Sequence, residues 1–430
     1  MAMLIERLGA LGGTAEVLRA VDAGTRRSGL PPPAALTGEW FGAAAVIAPS
    51  LQTAPVDPAE VFPVTPGNRT DAVGGGWLGY LSYPDPGADE AAPRIPVAAG
   101  GWTDCVLRLD REGCWWFESL SGAALPGWLA AALATRAPRG GCEITWSSPD
   151  PAEHRGGVLA CLEAIRSGEV YQACMCTRFT GRATGSPLDF FADSVERTGP
   201  ARAAFLSGTW GAVASLSPEL FLRRTGDRVV SSPIKGTLPL HAAPELLRES
   251  AKDVAENVMI VDLVRNDLGR VARIGSVTVP ELLAVRPAPG VWHLVSTVSA
   301  QVATDLPAAD LLAATFPPAS VTGTPKTRAR QLLSQWEPHR RGVYCGTVGL
   351  ASPVAGWELN VAIRTVEFDA VGGAVLGVGG GITADSDPEA EWQECLHKAA
   401  PIVGHLAGRE RAVPGPPRSY SSERERSTAS

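Results

Sequence analysis

Three groups of residues have types and spacings that could do chemistry on a small anion. The first is Ser232-Pro233-Ile234-Lys235-Gly236-Thr237. Residues 227–232 carry a β-branched pair and read as a strand. Pro233 has no N–H for a ladder, so it marks the strand's end. Gly236 adopts backbone angles that larger residues resist, and it lets a ligand approach the main chain. Lys235 then stands at the mouth of a strand, with the Thr237 hydroxyl beside it to bond an anion. A lysine becomes nucleophilic when burial or nearby positive charge favours its neutral amine. A solvated lysine on a turn would have the same local sequence.

The second group is acidic. Residues 246–269 form the longest helical pattern, and Asp253 and Glu256 share the side that Ile260 and Leu263 extend. Carboxylates there are costly to bury unless a cation meets them. A solvated acidic edge beside Lys252 is the alternative. Further on, Ser386-Asp387-Pro388-Glu389 starts a helix. Glu391, Glu394 and Lys398 fall on one face of it. Two acidic pairs could hold a hard divalent ion, and magnesium takes few carboxylates and completes its shell with water and ligand oxygens. No thiolate or imidazole cluster favours zinc.

The third group would hold anions. Residues 343–350 and 358–367 read as paired strands. Arg364 in the second needs a partner that a carboxylate ligand would supply. Glycines in 376–382 read as a loop whose N–H groups cradle an anion, or as a tight turn. The loop 316–326 is small and hydroxylic and leads into a helix with Lys326 in its first turn, which suits an anion or an ordinary cap. His293 lies in a strand at 292–296, where a core histidine and a catalyst read alike.

The elements that position these groups come from a chain of 430 residues, more than one simple core supports. A 45% hydrophobic and 19% charged composition is that of a globular protein. The net charge of −7 leaves no nucleic-acid footprint. No apolar run reaches the roughly 18 residues of a membrane span. The start, Met-Ala-Met-Leu-Ile-Glu-Arg, lacks an export core, so a cytoplasmic protein with reduced cysteines is expected. Residues 1–145 show strands at 43–47, 77–81 and 115–117 among proline and glycine breaks. The stretch 136–152 reads as a connection. A helix at 154–167 and a strand at 169–179 open the region 146–407, which carries the candidate site. Residues 408–430 read as a disordered tail.

The stretch 154–407 resembles the chorismate-utilising enzymes, the family of anthranilate synthase component I and aminodeoxychorismate synthase component I. The matching blocks include Gly168-Glu-Val-Tyr-Gln172, Ser217-Pro-Glu219, Pro233-Ile-Lys-Gly-Thr237, the run 255–269, His293-Leu-Val-Ser296, Val321-Thr-Gly-Thr-Pro-Lys326 and Gly379-Gly-Gly-Ile-Thr-Ala-Asp-Ser386, in the family's order. The resemblance implies an α+β fold, a four-layer sandwich of two large antiparallel sheets flanked by helices. It implies chorismate as substrate and magnesium as cofactor, held at Glu256 and Glu394 with Asp253 and Glu391 close by. Tyr344, Arg364, Lys398 and Gly379, Gly380 and Gly381 match substrate-carboxylate positions. Thr237 and His293 match positions beside the ring.

Two positions sort reactions within the family. Members that add water carry a lysine where this chain has Gln172. Anthranilate synthases usually carry alanine where it has Lys235, and lysine there marks aminodeoxychorismate synthesis. The resemblance then implies covalent catalysis by Lys235, with Glu219 as the acid. Pro318-Ala319 replaces the family's usual Gly-Gly, and Thr324 a usual alanine. No tryptophan-binding signature and no glutaminase segment are found, so ammonia is expected from a separate glutamine amidotransferase subunit. Anthranilate synthesis and a non-catalytic chorismate-binding scaffold are the alternatives.

Overall fold

Among the described residues, alternating small and β-branched residues build two antiparallel sheets, of twelve and ten strands. The computed structural model describes residues 3–85 and 92–404, so the expected tail at 408–430 lies outside the described residues. Leu36, Val46, Tyr80, Leu206 and Val348 fill the space between the sheets. Helices Thr14–Ser28 and Pro187–Thr198 cover the outer face of the twelve-stranded sheet around Phe191, Phe205 and Phe368. Helix Ala251–Gly269 covers the ten-stranded sheet. Helix, sheet, sheet and helix make the expected four-layer α+β sandwich.

Both sheets mix early and late strands. Ala34–Trp40 pairs with Arg202–Gly208 in one, and Gly76–Leu81 pairs with Thr347–Ser352 in the other. The stretch read as a connection contains the strand Cys142–Ser147, which pairs with residues 180–185 of the long strand Gln172–Gly185.

Three elements near the candidate site depart from the sequence reading. The single strand expected at 358–367 is two. Gly356–Asn360 lies in the ten-stranded sheet and Thr365–Asp369 in the twelve-stranded one. The chain crosses between sheets at 361–364, and Arg364 sits in that crossover at a φ of 52°. Asn360 pins the departure point: its amide donates to the Arg202 carbonyl at 2.9 Å and accepts from Val348 N at 3.0 Å. The glycine-rich stretch is no loop. It is the strand Gly373–Ile382, paired along its length with the long strand. Its other neighbour, Thr365–Asp369, pairs only with residues 374–376, so that edge is open beyond Leu376. The helix expected over 246–269 breaks at Ser250, whose hydroxyl caps the second part by accepting from Asp253 N at 3.2 Å.

The long strand carries both the core and the site. Phe179 at its middle is fully buried. Phe179→Ala is expected to cost about 3–5 kcal/mol, read as a lower denaturant midpoint. A loss below about 1 kcal/mol would contradict this packing.

Candidate active site

The strand Ile234–Pro239 runs beside Val291–Gln301, and the register slips between Lys235 and Thr237. Gly236 makes the slip at a φ of 78°. A Cβ there would also meet Cβ and Cγ of Asp253 at 3.1 Å. The glycine thus turns the strand and lets helix Ala251–Gly269 lie against it. Glu256 is one turn further along that helix, and its Oε2 is 3.6 Å from Lys235 Nζ. The Lys235 side chain is 13% exposed, and Nζ also donates to the Ser320 carbonyl at 3.5 Å. Lys235 points inward, not to bulk water.

Glu219 lies in the turn between Gly211–Ser217 and Leu220–Thr225, where its N–H donates to Ser217 Oγ at 3.0 Å. Burial pushes its carboxyl up to about 7, against the opposing effects of the Ser320 hydroxyl, the Lys235 charge and the Ile234 N–H. Ser320 therefore touches both proposed reacting groups. Sequence reasoning missed it, although it lies in the hydroxylic loop that was noticed. Thr237 Oγ1 and His293 Nδ1 are 3.0 Å apart. Burial, then the charge of Arg364, pushes His293 down to about 4, so it is neutral at pH 7. The Arg364 guanidinium has no hydrogen-bond or ion-pair partner among the described residues.

The open glycine edge gathers the remaining groups. A Cβ on Gly381 would lie 2.6 Å from Gln172 Nε2 and 3.4 Å from Lys235 Nζ. A Cβ on Gly380 would lie 3.1 Å from Glu391 Oε2, 3.6 Å from Glu394 Oε1 and 3.7 Å from Lys398 Nζ. Only glycine lets these charged groups crowd the strand. Lys398 donates to the Gly379 carbonyl at 2.7 Å and pairs with Glu394 at 2.7 Å. Glu391 accepts from Ser386 Oγ at 2.6 Å and pairs with Lys252 at 3.3 Å. Its Oε2 is buried with no hydrogen-bond partner.

Each acid thus meets a lysine, apart from Asp253, which stays beside Gly236. Among the described residues, no three His, Cys, Asp or Glu side chains form a ready-made cation cage. Tyr344 is buried against Gly377, four residues before Gly381, with Cys174, Cys176 and Arg341 as neighbours. Lys326 is no anion ligand. Its ammonium is neutralised by Asp267 at 2.6 Å and donates to the Thr315 and Pro317 carbonyls, which ties down the loop that carries Ser320.

This constellation can hold carboxylates, protonate a leaving group and present an amine. Residues 71–404 match the family of chorismate binding enzymes. The chain belongs to that family. It is 39% identical over 350 residues to aminodeoxychorismate synthase component 1 of Klebsiella aerogenes, covering 77% of each chain. It is 43% identical over 252 residues to aminodeoxychorismate synthase component 1 of Escherichia coli K12, covering 57% of this chain and 55% of that one. Anthranilate synthase component I from Streptococcus pneumoniae superposes with a TM-score of 0.69 at 24% identity, over 94% of this chain and 92% of the other, so the two share the fold. No helix among the described residues of this chorismate binding enzyme is long and apolar enough to cross a membrane.

The raised Glu219 carboxyl has a thermodynamic consequence. The fold favours its protonated form, so its stabilisation is present below about 4.5 and lost as pH rises through about 7. Glu219→Gln cannot ionise. Relative to the parent protein it is expected to gain on the order of 2 kcal/mol between pH 5 and pH 8, read from urea midpoints at both pH values. A difference that does not change with pH would contradict the burial argument.

Proposed function

We propose that the protein is a magnesium-dependent aminodeoxychorismate synthase component, converting chorismate and ammonia to 4-amino-4-deoxychorismate on the way to p-aminobenzoate and folate. One observation carries this reading: the inward amine of Lys235, 3.6 Å from Glu256, shares Ser320 with Glu219, whose carboxyl burial raises to about 7. The names of the two relatives support it.

The unpartnered Oε2 of Glu391, beside Glu394 and the bare Gly380, fits a magnesium ion. Glu256, Glu394 and Glu391 would hold it, with Asp253 alongside. A magnesium ion held there would supply Lewis-acid stabilisation to a carboxylate of the substrate. Arg364, Lys398 and the open edge at Gly379, Gly380 and Gly381 hold substrate carboxylates, with Tyr344 backing that strand. Thr237 and the neutral His293 line the ring.

Lys235 gives its ammonium proton to water, and the neutral amine forms a C–N bond to the ring as the 4-hydroxyl departs. Glu219 gives that hydroxyl its proton, so it leaves as water. Ammonia then forms a bond at the carbon that the hydroxyl left, the lysine amine is expelled, and the proton that the new amine sheds returns to the Glu219 carboxylate, dividing one hard displacement into two. The Gln172 amide is no base and cannot take a proton from water, so hydration does not compete. Ammonia comes from a glutamine amidotransferase partner, or from ammonium in vitro.

With chorismate, magnesium and ammonium, the expected product is aminodeoxychorismate, identified by mass. Fluorescent anthranilate formed without an added lyase would overturn the choice. Chorismate bound but never consumed would leave only a scaffold. Lys235→Ala is expected to lose at least about 100-fold in kcat, and unchanged turnover would remove the covalent step.

A further inference from the structure

A cavity of about 580 Å³ opens between the twelve-stranded sheet, helix Lys326–Trp336 and the segments 82–85, 92–97 and 337–342. Its wall includes Arg178, six residues beyond Gln172 and so about 20 Å along the long strand. Arg178 Nε is buried and has no hydrogen-bond partner, and the guanidinium has no ion-pair partner among the described residues. Its charged neighbours include another arginine, Arg94. Arg94 reaches Asp369 at 3.0 Å through one nitrogen. Arg330 also lines the cavity, with its own Nε buried and unpartnered.

Among the described residues, Glu367 is an acid of the wall whose charge acts on both Arg178 and Arg94, without an ion pair to either, and the other acids of the wall have partners elsewhere. Glu337 is held by Arg341 at 2.6 Å, and Asp85 accepts from Arg341 N at 3.1 Å. Glu367 accepts from Val343 N at 2.6 Å. Arg178 is half-buried, and its buried, unpartnered Nε is costly unless an anion completes it. The rest of the wall is partly apolar, with Ile95, Val375 and an exposed Val97. The volume falls in the range of small-molecule sites, about 300–1,000 Å³.

We propose that this cavity binds a small organic carboxylate, its anionic group bridging Arg178 and Arg94 and its apolar body against Ile95, Val97 and Val375. The site is separate from the one around Lys235 and does not depend on the reaction proposed there.

The test is calorimetric titration of the full chain with benzoate. Saturable binding is expected, at least about tenfold weaker in Arg178→Met and retained in Arg364→Met. Arg178→Met should fold, since Arg178 is half-buried and makes no ion pair among the described residues. Arg94→Ala, at the exposed rim, is the second variant and should weaken binding about threefold or more. No saturable heat with the parent protein would overturn the proposal. So would binding that is lost in Arg364→Met but kept in Arg178→Met, which would place benzoate at the other site. Inorganic phosphate binding as tightly as benzoate would overturn the organic class.

Discussion

The contact between Lys235 and Glu256, made across the bare backbone of Gly236, is the interaction on which the rest of the site depends. A lysine that is mostly out of water needs a carboxylate beside it, and that buried carboxylate needs the lysine. Gly236 allows the contact because a Cβ there would press on Asp253 at 3.1 Å and would sit at a positive φ. The same logic repeats around the glycine edge, where Glu394 meets Lys398 and Glu391 meets Lys252. The charges alternate, so the site is nearly balanced before any ligand arrives. A dianionic substrate entering with a divalent cation would leave that balance intact.

The sheets bring these pairs together from distant stretches of chain. The crossover after Asn360 takes one strand away from the glycine edge, which frees the backbone beyond Leu376 and sets Arg364 beside His293. Lys326 and Asp267 fix the loop below, and through it the position of Ser320. Ser320 in turn links the amine and the acid. The strained and glycine positions therefore mark where backbone, helix and charge come closest.

Much of this was legible in the sequence because it is periodic and local. The helical spacing of Glu391, Glu394 and Lys398 places them on one face, and the helix is there with Asp387 as its cap. Gly236 stood out next to Lys235, and its φ is positive. The crossover at 361–364 was not legible, since the apolar pattern runs through it without a break. The glycine run read as a loop because its pairing partner lies some 200 residues earlier, a distance no local pattern reports. Lys326 reads as suiting an anion or an ordinary cap because its partner Asp267 lies 59 residues earlier. The cavity around Arg178, Arg94 and Arg330 draws on three separate segments and has no local signature at all.

The central claim is that Lys235 bonds to the substrate. The direct measurement is peptide mass after the protein is mixed with chorismate and magnesium, without ammonium, then quenched and digested. The expected result is a peptide containing Lys235 that is heavier by one chorismate less one water. An unmodified Lys235 peptide, in protein that forms aminodeoxychorismate once ammonium is added, would contradict it.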